Sequence, residues 1–200
     1  MNINYRPMVA SDIGRVPVDC HGSHAELLAR IEDLGAAATL AFDSTQHVGQ
    51  LQFRRYKPEL RSATGIWHPD YWGDFGERAP QLPAHSLNVF CYHVGQLTAG
   101  EERSPAYQGK GIGLALLDAF IEWAAAAGFS AIAAKFTPED RPVMGFMGGQ
   151  PATAYVQRGF EVGASGVDRQ LDEAIRERGI VSSDADPEVV ARVGVCVRRL

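Results

Sequence analysis

An α/β domain built on a mixed sheet is the fold class that the sequence predicts. Short apolar or alternating runs of strand character are interleaved with segments whose apolar residues recur at helical spacing. The strongest helical segment, Leu114 to Ala127, is entered through a glycine-rich loop, and that loop follows a near-continuously apolar run, Leu87 to Val94. The chain has 200 residues, 46% of them hydrophobic, which is enough to bury a substantial core, so residues 1–200 read as one domain.

Ile3 to Val9 reads as the first strand, and Ser11 or Asp12 is placed to cap a short helix after it. Pro17 and a turn at Cys20-His21-Gly22 interrupt that segment. Ser23-His-Ala-Glu26 is a capping box, in which a hydroxyl and a carboxylate satisfy each other's backbone amides. It opens a helix through Leu27, Leu28, Ile31 and Leu34 that Gly35 stops. Ala37 to Phe42 and Val48 to Arg55, separated by Asp43 to His47, read as a hairpin. Then comes an insertion-like irregular stretch, 57–85, with Pro58, Pro69, Pro80 and Pro83. So long a loop in a compact domain is usually functional or flexible. It carries Trp67, His68, Asp70, Tyr71, Trp72, Asp74, Phe75 and Glu77, an aromatic and acidic set.

Leu87 to Val94 is apolar on both faces and so reads as a central strand. In the helix after the glycine loop, Leu114, Leu117, Phe120, Ile121 and Ala124 fall at core spacing, and Gly128 ends it. Ser130 to Phe136 is a strand, and 138–151 is a second irregular stretch. Ala152 to Arg158 is a short helix closed by Gly159, and Phe160 to Val162 begins another strand. The remainder, 163–200, is a helix–strand extension. It holds an amphipathic helix from Val167 to Arg178, a turn at Asp186-Pro-Glu188 and a strand from Val193 to Val197.

A net charge of −5 gives no surplus of cations to neutralise phosphates, so no nucleic-acid partner is expected. No apolar run reaches membrane-spanning length and the N-terminus lacks a signal-peptide core, so the expected location is cytoplasmic, without a membrane partner. Cys20, Cys91 and Cys196 are odd in number and far apart, which suits neither a disulfide framework nor a zinc pair. All three read as reduced, and no metal is expected.

The loop Tyr107-Gln-Gly-Lys-Gly-Ile-Gly113 places three glycines at alternate positions, so its backbone can approach a ligand with no Cβ in the way. It lies at a helix N-terminus, where unpaired N–H groups and the positive end of the helix dipole favour an anion, most naturally phosphate. A P-loop would need Gly-Lys-Ser/Thr at its end, but Leu114 and Ala115 follow Gly113. The Gly-x-Gly-x-x-Gly of a dinucleotide site does not match this spacing either. Lys110 adds a charge contact or points to solvent.

Gln108-Gly-Lys-Gly111-Ile-Gly113 has the pattern Gln/Arg-x-x-Gly-x-Gly/Ala, and farther on stands Tyr155-Val-Gln-Arg-Gly159-Phe160. In this order they resemble the acyl-CoA-binding motif and the Tyr-x-x-x-Gly-Phe segment of the GNAT superfamily of N-acyltransferases, and the order of elements fits that fold from Ile3 to Phe160. The resemblance implies a GNAT-like mixed, mostly antiparallel central sheet flanked by helices. It also implies an N-acetyltransferase that moves an acetyl (acyl) group from CoA to an amine by direct attack in a ternary complex. The alternative is a non-catalytic acyl-CoA-binding sensor or regulatory module. Acetyl-CoA would be the co-substrate, with no metal. Its pyrophosphate would lie on Gln108, Gly109, Lys110, Gly111, Ile112 and Gly113, and its pantetheine arm along Tyr92 and Val94.

By the same resemblance, Tyr155 matches the tyrosine that protonates the departing thiolate, a role suited to a phenol of pKa about 10; packing of the short helix is the other reading. The Asn that often precedes this helix in relatives is replaced here by Gly148-Gly-Gln-Pro151. The attacking amine must lose a proton, and the candidate bases are His93 and Cys91, on one face of the central strand by alternation, with His85, Asp70, Asp74 and Glu77. A histidine in an apolar strand is otherwise a satisfied core residue. Trp67, Asp70, Trp72 and Asp74 suit a cationic amine, small-molecule or protein, through cation–π and charge contacts. They equally suit a loop that buries its own tryptophans or makes a dimer contact. Similar folds pair through sheet edges, so a homodimer is among the expected partners.

Overall fold

Local signals place the first elements. The computed structural model describes residues 1–17, 22–63, 65–100 and 102–200. The turn expected at Cys20 and His21, and the reading of Cys20 as a reduced thiol, lie outside the described residues. Strand β1 (Ile3–Pro7) leads to helix α1 (His24–Leu34). Ser23 Oγ accepts the Glu26 N–H at 3.3 Å, and the Glu26 carboxylate takes the Ser23 N–H at 2.6 Å. Gly35 closes α1 in the left-handed region, φ 88°, with its N–H on the Ile31 carbonyl. The hairpin follows as β2 (Ala38–Asp43) and β3 (Gln46–Arg55), and β4 (Ser86–Val94) runs up to the glycine loop.

Helix α2 (Ile112–Ala126) begins directly after that loop. Its buried stripe is Ile112, Leu116, Leu117, Phe120, Ile121 and Ala124; Leu114, expected in the core, is only half-buried. Strand β5 (Ala131–Phe136) comes next. The stretch expected to be irregular from 138 to 151 contains helix α3 (Arg141–Met147). Asp140 caps it by accepting the Val143 N–H at 3.0 Å, and Pro142 sits in its first turn, where no amide is needed. Helix α4 (Ala152–Val156), β6 (Glu161–Val167), α5 (Arg169–Glu177), α6 (Pro187–Val190) and β7 (Arg192–Arg199) complete the chain.

The seven strands are ordered β1-β2-β3-β4-β5-β7-β6, with β4 central. The ladders β1/β2, β2/β3, β5/β7 and β6/β7 are antiparallel, and β4/β5 is parallel. A parallel pair needs a crossover connection, and α2 supplies it. The sheet is therefore mixed and mostly antiparallel, as the motifs imply.

The chain forms two compact units. The first takes residues 1–54 and 91–129. In it Met8, Leu27 and Leu40 pack together under α1, and Phe53 of β3 lies 4.7 Å from both Phe120 and Trp123 of α2. The second takes residues 55–90 and 130–200. Its core joins Tyr56, Trp72 and Phe75 to Ala133 and Val195, and a neighbouring cluster packs Leu171 and Ile175 of α5 on Val143 and Val193.

Candidate active site

The glycine loop is fixed to the end of β4 by its own side chains and turns. Gln108 Nε2 donates to the Val94 carbonyl at 2.6 Å, and the Gly95 N–H donates to the Val48 carbonyl at 2.7 Å. Gly95 has φ 80°, and a Cβ there would lie 2.7 Å from Ser104 O and 2.9 Å from Gln108 Nε2. Only glycine lets the chain leave β4 by this path. Gly109 and Gly111 are also left-handed, at φ 67° and 76°, yet a Cβ on either meets nothing within 4 Å. Their outer side is open. Gly111 is the N-cap of α2 and brings no side chain to it, so the N-cap gives the first N–H groups of the helix no side-chain acceptor. Gln108, Gly109, Lys110 and Gly111 are exposed and Gly113 is half-buried, whereas Ile112 is buried and anchors the turn.

On β4, Cys91 and His93 share a face and touch, with Cys91 Sγ 3.1 Å from His93 Nε2. The other ring nitrogen, Nδ1, lies 2.6 Å from Arg103 Nη2. A guanidinium only donates, so Nδ1 accepts and the ring proton sits on Nε2. A base role for His93 therefore requires release of Arg103. Tyr92 is buried, and Val94 is half-buried beside its Gln108 contact. Nearby His47 holds the Gln96 carbonyl at 3.0 Å through Nδ1, and burial lowers its pKa.

In the second unit, Tyr155 is fully buried on α4, and its ring meets Phe160 edge-on at 5.2 Å. The aromatic loop is tied down from within. Trp72 is fully buried between Tyr56 and Phe75, at 5.1 and 6.4 Å, so its ring serves the core. Trp67 is half-buried, its ring lies 5.9 Å from that of Phe146, and its backbone N–H donates to Asp168 Oδ2 at 2.8 Å. Asp74 accepts the Ser62 N–H at 2.9 Å, and Asp70 is half-buried. His85 and Glu77 are exposed.

Lys135 of β5 organises this loop. Its Nζ donates to the carbonyls of Ile66, His68 and Tyr71, the last at 2.5 Å. It also stands 5.3 Å from the Trp72 ring and 5.6 Å from that of Phe75. Burial lowers its pKa to about 7, opposed by the charges of Asp74, Asp168 and Asp70.

Residues 102–148, which include the glycine loop and α2, match the family described as Acetyltransferase (GNAT) family. The chain carries a GNAT-type segment within a GNAT-like fold. The same fold recurs in the GNAT acetyltransferase of Streptococcus pneumoniae, at a TM-score of 0.53 and 13% identity with 100% of both chains covered. It recurs in yncA of Salmonella typhimurium, solved with acetyl-CoA, at 0.53 and 14%, covering 100% of this chain and 95% of that one. A mosquito arylalkylamine N-acetyltransferase-like protein, 5b, gives 0.54 and 16% over 100% of both chains. No curated protein matches by sequence.

The segment that matches the GNAT family model includes the glycine loop, and the loop's own atoms suit the pyrophosphate of CoA: two left-handed glycines with open space above them, a helix N-terminus whose N-cap brings no side chain and an exposed Lys110. Two side chains of consequence are missed by sequence reasoning. Lys135 had a signal, since it is a single charge in the otherwise apolar run Ala131–Phe136. Arg103 had none, because it lies in an irregular connection.

Proposed function

We propose that this protein is a GNAT-type, acetyl-CoA-dependent N-acetyltransferase that passes the acetyl group to an amine by direct attack in a ternary complex. The observation that carries the reading is the open glycine cradle at the start of α2, clamped to β4 through Gln108 and Val94. When bound, acetyl-CoA supplies an activated acyl thioester. The amides and side chains from Gln108 to Gly113 bind its pyrophosphate, and the backbone of Tyr92 and Val94 orients the pantetheine arm, with an N–H near Val94 polarising the carbonyl. Tyr155 is assigned the proton delivered to the leaving thiolate. Trp67 and Asp70, half-buried in the aromatic loop, are the assigned contacts for the amine, with Asp74 and Trp72 shaping the loop behind them. His93 is held as a donor by Arg103, so its service as base begins with loss of that contact.

The test is a thiol-release assay across a panel of small and peptidyl amines. Amine-dependent appearance of free CoA is the expected result, and Tyr155→Phe is expected to lower turnover more than it lowers acetyl-CoA affinity. Binding of acetyl-CoA without release for any amine would instead identify a sensor module.

A further inference from the structure

His93 and Arg103 admit one consistent placement of the ring proton, and it faces Cys91. Arg103 carries donors only. Its Nη2 lies 2.6 Å from His93 Nδ1, which must therefore present a lone pair. A neutral imidazole with that lone pair bears its proton on Nε2. Nε2 is 3.1 Å from Cys91 Sγ, so the ring donates and the sulfur accepts; Sγ also lies 3.9 Å from the Tyr92 carbonyl, at the long limit for a thiol donor. A neutral thiol is a weak acceptor, whereas a thiolate in front of a charge-backed donor is a strong one.

This polarity is the reverse of a nucleophile–histidine–carboxylate triad. There a carboxylate holds Nδ1–H and leaves Nε2 to remove the nucleophile's proton. Here the guanidinium holds Nδ1 as an acceptor, so His93 stabilises an anion on sulfur and does not generate one. Among the described residues Arg103 Nη1 is buried without a hydrogen-bond partner, which leaves its charge directed at the ring. Cys91 keeps 9% of its surface, against 0% for Cys196, whose thiol burial pushes up to about 12. The two free thiols of the described residues thus sit in opposite environments.

We propose that Cys91 is a reactive thiolate, held by His93 and Arg103, and a site of covalent modification by soft carbon electrophiles such as α-haloamides and α,β-unsaturated carbonyls. With a haloamide, the sulfur electron pair forms the new S–C bond and the halide departs with the electrons of its own bond. With an unsaturated carbonyl, sulfur adds to the β-carbon and the α-carbon takes a proton from water. In either case a neutral thioether replaces the acceptor of the His93 proton. The inference does not depend on acyl transfer, because it is read from the thiol alone.

The experiment is alkylation of the full chain with iodoacetamide at neutral pH, followed cysteine by cysteine by mass spectrometry. Cys91 is expected to react at least about tenfold faster than Cys196 in the wild type. Arg103→Met is expected to slow Cys91 by about tenfold, because the ring loses the cation that holds its donor toward sulfur. Arg103→Lys, which keeps a cationic donor, is expected to restore most of the rate. Arg103 is half-exposed on an irregular connection, so its removal leaves the core packing in place. An equal Cys91 rate in wild type and Arg103→Met overturns the proposal, because exposure alone would then set the reactivity. So does a wild-type Cys91 that reacts no faster than Cys196, a result that needs no variant to fold.

Discussion

Lys135 is a side chain whose acid–base behaviour the fold alters strongly: burial brings its pKa to about 7. In the unfolded chain a lysine titrates near 10.4. Between about pH 7 and 10 the unfolded state therefore binds a proton that the folded state has shed, and stability rises with pH across that window. The gain is lost as pH falls through about 7. Urea unfolding from pH 6.5 to 9.5 is expected to show this rise, with up to about 1.4 kcal/mol per pH unit from this one group. Lys135→Met is expected to flatten it. The same slope in the variant would mean that the buried ammonium keeps its proton on the three loop carbonyls. The sequence did not expose this role, because those carbonyls lie 64 to 69 residues away along the chain. For Cys91 and His93 the reverse holds: strand alternation alone puts both on one face, and there they touch. What alternation cannot supply is the ring's proton, since Arg103 sets it from outside the strand.

At the scale of elements, legibility followed the range of the signal. The capping box of α1 and its Gly35 stop are satisfied within one helix, so residue types and spacing suffice to find them. Helix α3 is as local, yet Pro142, Gly145 and Gly148 within and around a single pair of turns mimic a loop, and the Asp140 cap is the only sign against it. The glycine loop was legible because its requirement is backbone shape. Gly111 is left-handed with open space around its missing Cβ, so Gly111→Asp meets no clash, and the backbone strain is about 1 kcal/mol. The new carboxylate would compete for the first amides of α2 and repel a pyrophosphate there. Calorimetric titration is expected to show CoA affinity falling by at least about tenfold, near 1.4 kcal/mol, with the circular dichroism unchanged. Unchanged affinity would move the cofactor away from this loop.

For the whole molecule, alternation of strand and helix patterns reveals the class of fold but not the strand order. Strand β7, last in the chain, pairs with both β5 and β6, and that insertion rests on ladders between distant residues such as Ala133 with Val197. No local pattern encodes such a pairing. Binding, by contrast, acts on the folded chain as a unit. A ligand taken up by the folded state alone adds RT ln(1 + [L]/Kd) to its stability, about 2.7 kcal/mol at a hundredfold excess over Kd. For 200 residues each kcal/mol moves Tm by about 2–4 °C, so saturating acetyl-CoA is expected to raise it by roughly 5–10 °C. Thermal shift against ligand concentration is the measurement, and the rise should continue logarithmically beyond saturation, which distinguishes specific uptake from a salt effect. An enzyme and a sensor would both show it. A flat Tm with acetyl-CoA, and likewise with longer acyl-CoA thioesters, would remove both readings and leave the glycine cradle of this GNAT fold to some other anion.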